Sequence, residues 1–171
     1  STVFEPGEHF NVIHGDNGAG KSNLLEAIYY MSALGSFRGA KADDMIGMNA
    51  DEARIEAKLA AEPLPHVLSV LIPRHGARKL QLDGKRPANA AKWFGTMPLV
   101  LFHPGHLELS AGPADGRRAF LDRALEQTDP AYARALANYQ RALRSRNRLL
   151  KMKGVDTRAV TAYDEVLAEN G

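Results

Sequence analysis

The sequence predicts an α/β fold, and three observations carry that prediction. Gly15-Asp16-Asn17-Gly18-Ala19-Gly20-Lys21-Ser22 fits the pattern G-x-x-x-x-G-K-[ST] at every fixed position. An alternating segment, His9 to His14, precedes it, and a run with helical spacing follows. Downstream, short segments rich in strand formers give way to three helical ones. Together they describe a P-loop NTPase lobe with a small antiparallel sheet and a C-terminal helical arm.

Phe10, Val12 and His14 alternate with their neighbours and predict a short strand entering the loop. Each fixed loop residue then has a physical task. Gly18 and Gly20 permit backbone angles barred to residues with a Cβ, so successive N–H groups can turn inward around phosphate oxygens. Lys21 brings a compact positive charge to the β- and γ-phosphates of a nucleoside triphosphate. The Ser22 hydroxyl is the expected protein ligand of Mg²⁺. The expected binding set is therefore Gly15, Asp16, Asn17, Gly18, Ala19, Gly20, Lys21 and Ser22, with ATP and Mg²⁺ as ligands. Leu24, Leu25, Ala27, Ile28, Met31 and Leu34 recur at helical spacing, and Gly35 predicts the stop. Strand, loop and helix aim the positive end of the helix dipole at the phosphates. The glycine order differs from the G-x-G-x-x-G of dinucleotide folds.

Residues 35–49 read as a glycine-punctuated connection that brings Arg38 and Lys41 close to the expected phosphates. Strands are predicted over 54–59, 66–72 and 79–82, broken by Pro63, Pro65, Pro73 and Gly76, and Asp83-Gly84 is a strong turn signal. Pro98 to Phe102 reads as a strand buried on both faces. Helices are predicted over 117–127, 132–152 and 159–169. In the middle one, Leu136, Tyr139, Ala142, Leu143 and Leu150 form a stripe suited to packing on a neighbouring helix.

Composition bounds the function classes. The chain has 171 residues, 44% apolar and 25% charged, which suits one globular domain or a lobe of a larger one. Without Cys there is no disulfide and no thiolate metal site, consistent with a reducing cytoplasm. No apolar run approaches the ~20 residues of a membrane helix, and the first residues do not read as a signal peptide. Between residues 131 and 158, eight cations face Asp156 alone, a net +7 that leaves −5 elsewhere in a chain of net +2. Such a helix is either a phosphate-backbone surface or a solvated face with acidic partners elsewhere.

A P-loop ATPase also needs an apolar strand ending in Asp to complete Mg²⁺ coordination. Val100-Leu101-Phe102 ends at His103, and Val70-Leu71-Ile72 ends at Pro73, so neither supplies the carboxylate. Phe120-Leu121-Asp122 falls in a helical segment. Leu109-Ser110-Ala111-Gly112 has the look of an ABC-type signature, but Pro113 follows it and no suitable strand comes after.

Four segments, in order, carry a family resemblance. Gly15 to Tyr29 resembles the G-x-N-G-x-G-K-T-x-x-L-E-A-I-Y stretch of the RecF family of bacterial recombination mediators. Ser36-Phe37-Arg38 with Asp44-Met45-Ile46 is similar to its S-x-R…D-x-[LI]-I connection. Gly112-Pro113 with Gly116 to Asp122 is similar to its G-x-P-x-x-R-R-x-F-L-D segment, with the proline one place early. Tyr139 to Leu143 and Arg146 to Lys151 resemble its Y-x-x-x-L-x-x-R-N-x-L-L-K helix. His103-Pro104-Gly105-His106-Leu107 departs from the family's acidic P-E-D segment.

The resemblance implies an ABC-ATPase-like lobe related to SMC and Rad50. Residues 1–128 would form the ATP-binding lobe and 129–171 the start of a helical arm, the chain being a fragment of a longer protein. It further implies a cytoplasmic protein of DNA repair, replication and the SOS response. The whole protein would dimerise around ATP and bind double-stranded DNA near single-strand gaps. With RecO and RecR, it would promote RecA loading. Weak ATPase activity is expected of the full dimer, and none beyond trace rates of this chain. Arg38 is a candidate for phosphate or DNA, and Arg141, Arg144 and Arg148 are candidate DNA contacts. Two other readings stay open: a small P-loop kinase or phosphotransferase, and a non-catalytic nucleic-acid-binding module.

Overall fold

The computed structural model describes residues 2–60, 64–109, 111–152, 154 and 157–171. Helix α1, Lys21–Ala33, starts directly at the glycine loop, with Gly20 as its N-cap at φ 90°. The predicted stop at Gly35 moves by one residue, because Leu34 itself takes the left-handed conformation at φ 52° and donates its N–H to the Tyr30 carbonyl. Burial explains the choice. Leu34 lies in the core, where a leucine side chain is worth about 1.5–3 kcal/mol, enough to offset about 1–2 kcal/mol for a left-handed residue with a Cβ.

Strands β1 (Glu52–Leu59), β2 (His66–Pro73) and β3 (Lys79–Leu82) form an antiparallel sheet in that order, as the sequence predicts. The register sets Ala53 opposite Ile72, Ile55 opposite Val70, Ala57 opposite Leu68, and Leu68 opposite Leu82. One face is therefore apolar, while Arg54, Glu56, Lys58 and Gln81 alternate onto the other. Tyr30, Met31 and Leu34 of α1 join Leu68, Val70, Ile72, Leu82 and Trp93 in the buried core. After β3, Asp83 at φ 53° and Gly84 at φ 75° make the doubly left-handed turn that a D-G pair favours, closing a bridge between Leu82 and Lys85.

Helix α2 (Ala90–Phe94) supplies Trp93, and α3 (Ala114–Thr128), α4 (Pro130–Leu150) and α5 (Thr157–Asn170) follow the predicted helical segments to within a few residues. Asp129 caps α4, accepting from the Ala131 N–H at 2.7 Å and the Tyr132 N–H at 3.3 Å, with Pro130 at the first helical position. Helix α4 packs against α2, α3 and α5. Phe120-Leu121-Asp122 is helical, and Asp122 accepts from the Tyr132 hydroxyl at 2.6 Å. That bond pushes the Tyr132 phenol pKa up, since ionising the ring would lose the donor and face the carboxylate. Ser110 of the signature-like tetrapeptide lies outside the described residues, as do Lys153 and Asp156 of the basic run.

Two predicted strands do not form. Residues 9–14 pair with no strand among the described residues, and Phe10 and Val12 are exposed. The amide of Asn11 instead takes both backbone groups of Gly7, accepting its N–H at 2.7 Å and donating to its carbonyl at 3.0 Å. These bonds close a local side-chain-to-backbone turn just ahead of the segment. Residues 98–102 pair with no strand among the described residues: Val100 is 95% and Phe102 80% exposed, while Leu99 and Leu101 are half-buried. The Leu99 N–H goes to the Gln127 side chain of α3 at 2.5 Å rather than to a strand. An apolar run reports burial demand, but a strand exists only where a neighbour supplies the ladder.

The C-terminal end of α1 is held by three distant segments. The last carbonyls of a helix have no partner within it. The Trp93 indole N–H donates to the Met31 carbonyl at 2.8 Å, Arg123 of α3 donates to that of Ala33 at 3.2 Å, and Arg78 donates to that of Leu34. The two guanidiniums also place positive charge at the negative end of the helix dipole.

Candidate nucleotide-binding site

The loop 15–20 is left-handed at its glycines: Gly15 at φ 145°, Gly18 at φ 86° and Gly20 at φ 90°. A Cβ built on Gly18 or Gly20 meets no atom within 4 Å. Within the chain, then, backbone conformation demands glycine there, and the space a Cβ would take is left open. The Ala19 N–H donates to the Asp16 carbonyl at 3.2 Å, tightening the loop, and the Leu24 N–H to the Gly20 carbonyl at 3.0 Å starts α1. Asp16, Asn17, Gly18 and Ala19 are exposed, as is Ser22 at the second position of the helix.

The Lys21 ammonium arches back over this loop, donating to the carbonyls of Gly15 at 2.8 Å and Asp16 at 2.7 Å. Its charge is therefore held against the backbone at the start of the loop, and two of its three donors are engaged. The structure brings Gly15, Asp16, Asn17, Gly18, Ala19, Gly20, Lys21 and Ser22 together as one open turn at a helix N-terminus, with the Lys21 ammonium against it. That is the chemistry of an anion site.

Arg38 reaches the same end of α1. Its Nη2 donates to the Asn23 carbonyl oxygen of the side chain at 3.0 Å and pairs with the Glu26 carboxylate. Glu26, only 3% exposed, is a feature the sequence reading passed over. Its signal was a lone carboxylate within the apolar run Leu24, Leu25, Ala27 and Ile28.

Arg141, Arg144 and Arg148 are exposed on α4, spaced so that successive turns present them, and Arg134 is exposed about two turns before them. Arg146 points elsewhere, its Nε donating to Asp164 of α5 at 2.5 Å. Of the predicted packing stripe, Ala142 is buried and Leu136, Tyr139 and Leu143 are half-buried, but Leu150 at the helix end is exposed.

A cleft of about 450 Å³ lies away from the loop, between the second half of α1, α3 and residues 98–103. Its wall is a chain of rings: Tyr29 edge-on to Phe37 at 5.6 Å, Phe37 to His103 at 5.5 Å, His103 to His106 at 4.1 Å and His106 to Phe120 at 5.6 Å. The Arg123 guanidinium lies 5.5 Å from the Tyr29 ring centre. Burial among these rings, and then the neighbouring His103, holds the His106 pKa below the ordinary imidazole value. Nothing in the sequence pattern announced this cleft, since its residues come from three separate segments.

Comparison with known proteins identifies the family. A family model described as an AAA domain matches residues 1–93. The DNA replication and repair protein RecF of Syntrophotalea carbinolica is 40% identical over 167 residues, and that of Myxococcus xanthus is 36% identical over 167 residues. These alignments cover 97% of this chain but 45% and 44% of those proteins, so the chain spans less than half the length of the curated relatives it matches. Among solved structures, the recombination mediator protein RecF with ATPrS superposes with a TM-score of 0.79 at 28% identity, covering 92% of this chain and 44% of that one. RecF with ATP superposes with a TM-score of 0.78 at 28% identity, covering 91% of this chain and 43% of that one. The chain thus belongs to the AAA-domain family of P-loop ATPases and is a homologue of RecF.

Proposed function

We propose that this chain is the ATP-binding lobe of a RecF-like protein of DNA replication and repair. The observation that carries the reading is the loop itself: left-handed Gly18 and Gly20, open space where their Cβ atoms would be, and Lys21 charged above them at the start of α1. Backbone N–H groups of residues 15–22 would cradle the phosphates, and Lys21 would exchange its two carbonyl partners for phosphate oxygens. Bound Mg²⁺ would neutralise charge on the β- and γ-phosphates. Ser22, exposed at the right end of α1, would contribute its hydroxyl to the ion.

In this reading residues 1–128 form the nucleotide lobe and 129–171 a helical arm. Arg38 meets a phosphate oxyanion, and Arg141, Arg144 and Arg148 meet the backbone of duplex DNA. The whole protein would form an ATP-dependent homodimer on double-stranded DNA near gaps in the cytoplasm, acting with RecO and RecR to promote RecA loading. Its relatives' names support the repair role. Among the described residues no helix is long and apolar enough to cross a membrane.

The test is fluorescence anisotropy of a labelled ATP analogue with Mg²⁺, on the parent chain and on Lys21→Ala. Saturable binding by the parent and its loss in the variant is the expected result. Lys21 contributes only hydrogen bonds on an open loop, so the variant should unfold within about 1 kcal/mol of the parent. Equal binding by both proteins refutes the assignment.

A further inference from the structure

We propose that Glu26 and Ser36 are positioning residues that hold the Arg38 guanidinium beside the phosphate-binding end of α1. This rests on the reading of residues 15–22 as a nucleotide site. A buried carboxylate is costly unless each oxygen is matched, and here each is. One oxygen of Glu26 accepts from the Ser36 hydroxyl and the other from Arg38 Nη2. The Ser36 oxygen in turn accepts the backbone N–H groups of Arg38 at 3.0 Å and Ala40 at 3.1 Å. Its one proton and both lone pairs are thereby used, which fixes the chain from Ser36 to Ala40 against α1.

The same arrangement orients the guanidinium. Both hydrogens of Nη2 are committed, one to Glu26 and one to Asn23, the residue next to Ser22. Nε and Nη1 make no hydrogen bond among the described residues, and the side chain is half-exposed. A planar fork with one corner clamped and its remaining donors open to solvent is built to meet an oxyanion. The ligand chemistry is a phosphate oxygen, supplied either by the bound nucleoside triphosphate or by a DNA backbone. Glu26 and Ser36 touch neither; they act through Arg38.

The experiment uses the parent chain with Lys21→Ala, Arg38→Ala, Glu26→Gln, Ser36→Ala, Ser36→Thr and the double variant Glu26→Gln/Arg38→Ala. Each is titrated with a labelled ATP analogue plus Mg²⁺, and separately with a labelled DNA duplex. Arg38→Ala is expected to weaken one probe about tenfold, the loss of charge-assisted hydrogen bonds to an anion. The affected probe identifies the phosphate source. Glu26→Gln and Ser36→Ala should weaken the same probe, and Ser36→Thr, which keeps the hydroxyl, should restore binding. The double variant should bind no more weakly than Arg38→Ala alone.

Parent-like binding by Arg38→Ala, or by both Glu26→Gln and Ser36→Ala, overturns the proposal. So does a double variant weakened by the full extra factor of Glu26→Gln, because a merely structural role would add in that way. Loss of ATP binding in Lys21→Ala together with any of these results overturns the positioning role alone. A parent that binds neither probe overturns the nucleotide reading and this inference together. Should Glu26→Gln fail to fold, Ser36→Ala carries the same test from the less buried side of the network.

Discussion

Replacing Trp93 should uncouple the P-loop helix from the rest of the lobe, and the structure sets the size of the effect. Trp93 is 1% exposed, and its indole N–H donates to the Met31 carbonyl in the last turn of α1. Trp93→Phe keeps most of the ring but leaves that carbonyl buried without its donor, which costs about 1–3 kcal/mol. Trp93→Ala also removes the buried ring, adding about 3–5 kcal/mol for lost contact and cavity. The sum of about 4–8 kcal/mol is comparable with the whole stability of a small domain, about 5–15 kcal/mol. Trp93→Phe should therefore fold with a lower urea midpoint, and Trp93→Ala should be largely unfolded. Far-UV circular dichroism is the right probe, because Trp93 is the only tryptophan and fluorescence disappears with it. A Trp93→Phe protein within about 0.5 kcal/mol of the parent at unchanged m-value would refute the claim that this donor holds the end of α1.

Gly20→Ala meets no steric neighbour but forces a Cβ at φ 90°, so it should cost about 1–2 kcal/mol by thermal unfolding and also weaken the ATP analogue. An unchanged melting temperature contradicts the backbone argument. The Asp83 carboxylate accepts the Val67 N–H at 2.9 Å and meets His66 Nδ1 at 2.9 Å, and these bonds, the backbone one first, lower its pKa below 3.8. A lowered carboxylate pKa stabilises the fold above the unfolded value and loses that contribution as pH falls through the folded one. Asp83→Asn, which tolerates the left-handed turn, should therefore flatten the acid limb of a melting-temperature profile below about pH 4; an identical acid limb counts against the assignment. Burial raises the Glu126 pKa, with Asp122 adding to it and Arg123 opposing it. Here the sign reverses: the folded state binds the proton more tightly, so stability is lost as pH rises through the folded pKa. Glu126→Gln should be more stable than the parent at pH 7 and equal to it well below the ordinary carboxylate range, and a less stable variant at pH 7 would contradict this.

The sequence by itself determined the elements whose causes are local. The glycines and lysine of residues 15–22 dictate a turn with left-handed backbone, and the structure has it at Gly18 and Gly20. Short strand-like segments bounded by proline and glycine predicted β1, β2 and β3, the D-G pair predicted the turn after β3, and the helical segments predicted α1, α3, α4 and α5. Periodicity and turn chemistry are properties of neighbours in the chain, so they can be read without a fold.

What only the tertiary structure decided is pairing between distant residues. Residues 9–14 and 98–102 have strand-like patterns, yet neither finds a ladder partner among the described residues, and the Leu99 N–H goes to the Gln127 side chain instead. Glu26 looked like one more residue of an amphipathic helix until Ser36 and Arg38 closed over it. Trp93, Arg78 and Arg123 come from three segments to meet the last carbonyls of α1. Each depends on which groups, far apart in sequence, are left unsatisfied once the local elements have formed. Hydrogen-bond satisfaction in a buried setting is a condition on the whole fold and leaves no periodic trace in the chain.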